Sequence, residues 1–119
     1  MKTQLSSPEQ IVQTNLDFYN RRDIENFMTC FSNDIKVFNF TDNKLVIDGI
    51  EECRKFYQEL FNASPDLHST ILKRIVFDNK VIDHESIVGR QGSKDVFEIV
   101  VIYEVKNHKI FKLTAIRKQ

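Results

Sequence analysis

Residues 65–88, PDLHSTILKRIVFDNKVIDHESIV, decide the fold. Pro65 stops the helix before it, because proline lacks the N–H that a helix interior needs. Beyond it, β-branched and aromatic residues gather into two runs, Leu67 to Phe77 and Val81 to Val88, parted by Asp78-Asn79. Asp and Asn tolerate positive φ and bond their own backbone, so this pair predicts a hairpin. The pattern repeats downstream. Val96 to Val105 follows Gln91-Gly92-Ser93, and Ile110 to Ile116 follows Asn107-His108. The four runs predict a long, twisted antiparallel meander with short hairpin turns.

Upstream the period changes from strand to helix. Ser7-Pro8-Glu9-Gln10 reads as a helix start, with Ser7 as the cap, Pro8 in the first turn and Gln10 closing a capping box. The apolar stripe that follows, Ile11, Val12, Leu16 and Tyr19, is interrupted by Asn15. Asp23 caps a short second helix with Ile24, Phe27, Met28 and Phe31 on one side. Asp34 to Thr41 predicts a strand, apolar on both faces and interrupted by Asn39. Asp42-Asn43-Lys44 turns the chain into a short strand, Leu45 to Ile47. Asp48 and Glu51 stand at capping-box spacing before a third helix with the stripe Ile50, Cys53, Tyr57, Leu60 and Phe61. Three helices laid on a curved, mainly antiparallel sheet make one α+β domain over residues 1–119.

The bulk composition removes whole classes of function. The 17 basic and 17 acidic side chains among 119 residues cancel, and no basic run marks a phosphate-binding face. Nucleic-acid binding is therefore not expected. Met1 to Pro8 is polar, without the apolar stretch of a signal peptide, and no segment reaches membrane-spanning length, so a cytoplasmic protein without membrane contact is expected. The two cysteines, Cys30 and Cys53, have neither redox nor metal spacing and read as small core residues.

Three features carry candidate chemistry. Asn15 and Asn39 are amides where hydrophobic side chains belong, which suits a pocket that hydrogen-bonds a ligand. Amides satisfied by each other or by buried water would explain them equally well. Asp83-His84-Glu85 lies within one strand, where alternation separates the histidine from both carboxylates, so neither a metal nor a cofactor is expected there. Tyr57 falls on a helix stripe, and its hydroxyl needs a partner if buried. Tyr19 and Tyr103 share that ambiguity.

The element order, with Asn20-Arg21-Arg22-Asp23-Ile24 between the first two helices, resembles a known family. So do Phe31-Ser32-Asn33-Asp34 at the first strand, Asp48-Gly49-Ile50 with Phe56-Tyr57 in the third helix, and Tyr103-Glu104-Val105 with His108-Lys109-Ile110 in the closing hairpin. These match the cone-shaped fold of nuclear transport factor 2, the ketosteroid isomerases and the SnoaL-like polyketide cyclases. The resemblance implies a ligand pocket inside the cone and, in many members, a homodimer through the open sheet face. It places the isomerases' catalytic carboxylate at Asn39 and their oxyanion tyrosine at Asn15. Their late-strand acid falls near Ile102, and only the supporting tyrosine is kept, as Tyr57. Loss of one acid/base group costs about 10²- to 10⁴-fold in rate, so 3-ketosteroid isomerisation is not expected.

The resemblance also implies that Ile82, His84, Ser86 and Val88 line the cone, with Asp83 and Glu85 on the outer surface meeting Lys112 or Arg90. His84 is then the candidate acid/base with Tyr57, or else a buried histidine satisfied by a neighbour. Asn15, Asn39, Tyr19, Phe56 and Ser86 are the candidate ligand contacts, with Phe18, Phe27 and Phe31 adding aromatic walls. Three functions remain open. They are proton transfer of isomerase or cyclase type on a small apolar, carbonyl-bearing ligand, ligand binding without chemistry, or a dimerisation module with Ile110 and Ile116 exposed on the sheet.

Overall fold

The computed structural model of the chain describes residues 6–118. Residues 1–5, part of the polar N-terminus read above for a targeting signal, and residue 119 lie outside them. Gln10 N donates to Ser7 Oγ at 3.2 Å and Ser7 N donates to Gln10 Oε1 at 2.8 Å, so the expected capping box starts α1 (Pro8–Arg21). Asp23 caps α2 (Ile24–Met28) by accepting from Asn26 N. Phe31, expected at the end of that helix, instead opens β1 (Phe31–Asn39), which turns through Asn43 into β2 (Lys44–Asp48). The start of α3 (Ile50–Asn62) departs from the expected box. Its cap is Gly49 at φ 95°, a conformation that side chains resist, and Asp48 N donates to Glu52 Oε1 at 2.8 Å.

Four strands follow: β3 (His68–Phe77), β4 (Lys80–Val88), β5 (Phe97–Lys106) and β6 (Lys109–Arg117). Asn107 and His108 both take positive φ, 53° and 63°, the signature of the two-residue turns that match strand twist. The expected tight turn at Gln91-Gly92-Ser93 is longer, a loop over residues 89–96 with one 3-10 turn, Arg90–Gly92. The six strands run in the order β2-β1-β6-β5-β4-β3, with β1 parallel to β6 and every other pair antiparallel.

Bulges curve this sheet and reset which residues face the helices. In β3, Ile71 opposes Glu85 and Lys73 opposes His84, so Leu72 is the extra residue. That shift lets Ser69 and Arg74, five residues apart, both face inward. A second shift, between Glu104 and Val105 of β5, turns Ile110 inward. Ile110, expected on the open sheet face, is fully buried, while Ile116 keeps the outward parity and is half-buried. The core between sheet and helices centres on Phe27, whose ring lies 4.7 Å from that of Tyr57 and 5.1 Å from that of Phe31. Cys30 and Cys53 are free thiols buried in the core, and burial pushes the Cys53 thiol up to about 12. Among the described residues no helix is long and apolar enough to cross a membrane.

Candidate functional site

A cavity of about 240 Å³ opens between α1, α3 and the inner face of the sheet. Its walls are mainly apolar, from Leu16, Val37, Leu60, Ile87, Val101 and Leu113. Asn15, Tyr19, Phe56 and Tyr57 line it as expected, and so does Phe27, whereas Phe18 and Phe31 do not. Asn15 Nδ2 also donates to Phe27 O at 3.3 Å, so this buried amide joins α1 to α2 at the cavity wall.

The inner and outer faces of β4 are the reverse of the expectation. Val81, Asp83, Glu85 and Ile87 are buried beneath the helices, and Ile82, His84 and Ser86 point to the outer face. The alternation of a strand moves all of them together, and the apolar residues on the two faces are too evenly matched to settle the parity from sequence. His84 is therefore not in the cavity. Its Nε2 lies 3.0 Å from Glu98 Oε1 on the outside of the sheet. Ser86 shares that face. Asn39 also stands apart from the cavity walls: at the end of β1 its Nδ2 donates to Asp42 Oδ1 at 2.9 Å and shapes the β1–β2 turn. Ile102, where the resemblance places the late-strand acid, faces outward as well, and Tyr103 takes the inward position beside it.

Glu85 is the residue that sequence reasoning missed as a site group. It is only 5% exposed and lines the cavity. Ser69 Oγ donates to its Oε1 at 2.7 Å and Tyr103 Oη donates to its Oε2 at 3.2 Å. Burial in apolar surroundings drives its carboxyl up from the ordinary 4.5 to about 7, with the Asp83 charge adding to the rise and both hydroxyls opposing it. Asp83 does not meet Lys112 or Arg90. Its two oxygens take Arg74 Nε at 2.6 Å and Nη2 at 2.8 Å, and Arg74 Nη1 reaches Gln13 Oε1 of α1 at 2.8 Å. With His84 facing away and Asp83 held by arginine, the Asp83-His84-Glu85 triplet converges on no common point. Glu85 shares the parity of Val81 and Ile87, but Ile82 and Val88 argue equally for the other face, so the sequence alone does not single it out.

The tyrosines complete the polar lining. The hydroxyls of Tyr19 and Tyr57 have no hydrogen-bond partner among the described residues. Burial pushes both phenols well above their usual range, and each feels the Glu85 charge, so they stay neutral donors near the same carboxyl. Across the sheet, Glu85, Ile99 and Arg117 oppose one another on β4, β5 and β6, which puts Arg117 in the same inward row. Arg90, in the β4–β5 loop, also lines the cavity. The arrangement offers a buried carboxyl pushed up to about 7, neutral donors, apolar walls and two arginines.

A model of the SnoaL-like domain family matches residues 12–113. No curated protein matches the chain by sequence. Among solved structures, an uncharacterised cystatin-fold protein from Novosphingobium aromaticivorans is similar over 94% of this chain and 99% of its own, at 20% identity and a TM-score of 0.84. A nuclear transport factor 2-like protein of unknown function from Cytophaga hutchinsonii matches 99% of this chain and 95% of its own, at 14% identity and a TM-score of 0.80. A candidate ketosteroid isomerase from Kribbella flavida matches 94% and 78%, at 15% identity and a TM-score of 0.80. At these identities the likeness establishes the cone-shaped α+β fold, and the chemistry has to be argued from the side chains.

Proposed function

The chain belongs to the SnoaL-like domain family, and from that premise we propose that its cavity binds a small apolar, carbonyl-bearing molecule and moves a proton on it through Glu85. The observation that carries this reading is the Glu85 carboxyl, buried in an apolar cavity and titrating at about 7. A group of that pKa is half-deprotonated at neutral pH, close to the best match for taking and returning a proton. Glu85 takes the proton from the carbon beside the carbonyl, and the C–H electron pair moves toward the carbonyl oxygen. Tyr57 and Tyr19, as neutral donors, hold the charge that develops there. Return of the proton to a different carbon isomerises the ligand. Attack of the enolate carbon on a second carbonyl of the ligand closes a ring, and the alkoxide so formed takes the proton back from Glu85.

The cavity also bounds the substrate. Ligand pockets for drug-sized molecules hold roughly 300–1,000 Å³, and about 240 Å³ suits one or two rings better than the four of a steroid. The outer sheet face, with Ile82, Val100, Ile102 and Ile116 half-buried, suits pairing with a second copy of the chain, which sedimentation tests.

Proton transfer is tested by incubating the protein in D₂O with a cyclic ketone and following deuterium uptake beside the carbonyl by NMR. Uptake that is lost in Glu85→Gln supports the reading. Equal uptake in both proteins sinks the role of Glu85, and binding without uptake in either makes the cavity a non-catalytic binding site.

A further inference from the structure

Among the described residues, five lysines and arginines meet a carboxylate, Lys118 through Glu98 and four others. Arg74 meets Asp83, Arg54 meets Glu25, Lys36 meets Asp48 and Lys112 meets Glu104. Of the described basic residues without a carboxylate partner, Arg90 and Arg117 stand at the cavity. They share the ring of Phe97, with guanidinium carbons 4.9 Å and 6.0 Å from its centroid. Glu98, the nearby acid on β5, is engaged by His84 and Lys118.

The backbone holds Arg90 where it is. Gly89 before it has φ 75°, and a Cβ there would lie 2.3 Å from Asp66 O, so the loop is pressed against the turn leading into β3. Gln91 N after it donates to the fully buried Ser64 Oγ at 2.8 Å. Arg117 is placed by register, opposite Ile99, which itself opposes Glu85. Two strand spacings, about 10 Å, separate the backbone of Glu85 from that of Arg117. The cavity wall thus carries both the Glu85 carboxyl and two planar cations laid against one aromatic ring.

We infer that the ligand of this cavity carries a carboxylate, bound by Arg90 and Arg117, so that the substrate is a small cyclic or aromatic keto acid rather than a neutral ketone. The inference rests on the reading of the cavity as a ligand site and adds to it the charge of the ligand. A carboxylate matches the guanidinium fork in geometry and replaces water on cations that no protein anion satisfies. It also fixes the ligand's orientation, with its carbonyl end toward Glu85 and the tyrosines.

The test uses one pair of probes, 4-oxocyclohexanecarboxylate and its methyl ester, titrated by NMR against the full chain at pH 7.5. The acid is expected to bind roughly tenfold more tightly than the ester, the scale of one charge-assisted contact. That preference is expected to shrink as salt rises from 0.05 to 0.5 M, and to vanish in the Arg90→Met/Arg117→Met variant. Equal affinity of acid and ester in the wild-type protein overturns the inference, and so does a preference for the acid that survives in the double variant. Deuterium uptake read on the same samples separates the two proposals. A preference for the acid without uptake keeps the anion site and sinks proton transfer. Uptake without preference does the reverse. Failure of both probes to bind at millimolar concentration counts against both proposals.

Discussion

Ser69 gives its hydroxyl to Glu85 Oε1 at 2.7 Å while its backbone is held by Asn20 at both ends. Asn20 Oδ1 accepts from Ser69 N at 2.8 Å, and Asn20 Nδ2 donates to Ser69 O at 3.0 Å. The amide thus does for this edge strand what a neighbouring strand would do. Arg22 adds a bond from Nη1 to Leu67 O at 2.9 Å. The junction after α1, which carries the family-like Asn20-to-Asp23 pattern, is therefore what sets the strand that aims the site carboxyl.

Removing the carboxyl changes the pH dependence of stability. Glu85 titrates at about 7 in the folded chain and near 4.5 when exposed. Between those values the folded state keeps a proton that the unfolded state has released, so stability is full below about pH 4.5 and falls as pH rises toward 7. A gap of that size amounts to about 3 kcal/mol. Glu85→Gln is expected to flatten the profile and to unfold later than the wild type in urea at pH 8, with little advantage at pH 4.5. Urea melts across pH check this, and an unchanged slope would show that Glu85 is not titrating in that window.

Ser69→Ala removes a hydrogen bond that favours the ionised carboxylate. The pKa of Glu85 is expected to move further up, by about one unit. The pH midpoint of deuterium uptake should follow it, and Ser69→Thr should restore it. A change in rate with no change in midpoint would reduce Ser69 to a packing residue.

Arg74 neutralises Asp83, which is only 1% exposed. Arg74→Met leaves that charge buried alone, and breaking such a pair costs about 3–5 kcal/mol. Denaturant unfolding should show a loss of that order for the single variant. Arg74→Met/Asp83→Leu should recover most of it, since the apolar pair strands no charge. Full stability in the single variant would mean that Asp83 is solvated or protonated.

His84 faces away from the cavity and pairs with Glu98 on the outer sheet surface. His84→Ala is therefore expected to bind and exchange the cyclic ketone like the wild type, within about twofold. A collapse of exchange would return the histidine to the chemistry.

The element order was legible because each boundary has a local cause: the Ser7–Gln10 box, the Asp23 cap, the turns at Asp78-Asn79 and Asn107-His108. The site was legible only from the helices, where Asn15, Tyr19, Phe56 and Tyr57 follow from the stripe. On the strands it was hidden by parity. Val81 and Ile87 argue for one face of β4, Ile82 and Val88 for the other, and nothing local breaks the tie. What breaks it is distant, namely Ser69 and Arg74 on β3, brought to the same side by a bulge at Leu72 that no short window announces. A carboxylate among hydrophobic residues reads as a surface group until its partners are in place.

Gly89 fixes the backbone just before Arg90, and its substitution tests whether Arg90 depends on loop position. At φ 75°, with the Asp66 carbonyl 2.3 Å from where a Cβ would stand, Gly89→Ala has to move the backbone of the loop or of the turn before β3. The positive φ alone costs on the order of 1 kcal/mol, and the clash adds to it. The Gln91-to-Ser64 bond on the far side of Arg90 opposes any compensating shift, so the displacement falls on Arg90 itself. The variant is expected to lose about 1–3 kcal/mol in thermal or urea unfolding. It should also lose part of the preference for 4-oxocyclohexanecarboxylate over its ester, because the fork no longer meets the carboxylate squarely. Gly92→Ala is the matching control. It has a similar φ of 76°, but a Cβ there meets nothing within 4 Å, so it should cost stability without touching the preference. Equal loss of preference in both variants would show that the loop's general order, and not the position of Arg90, governs binding of the carboxylate.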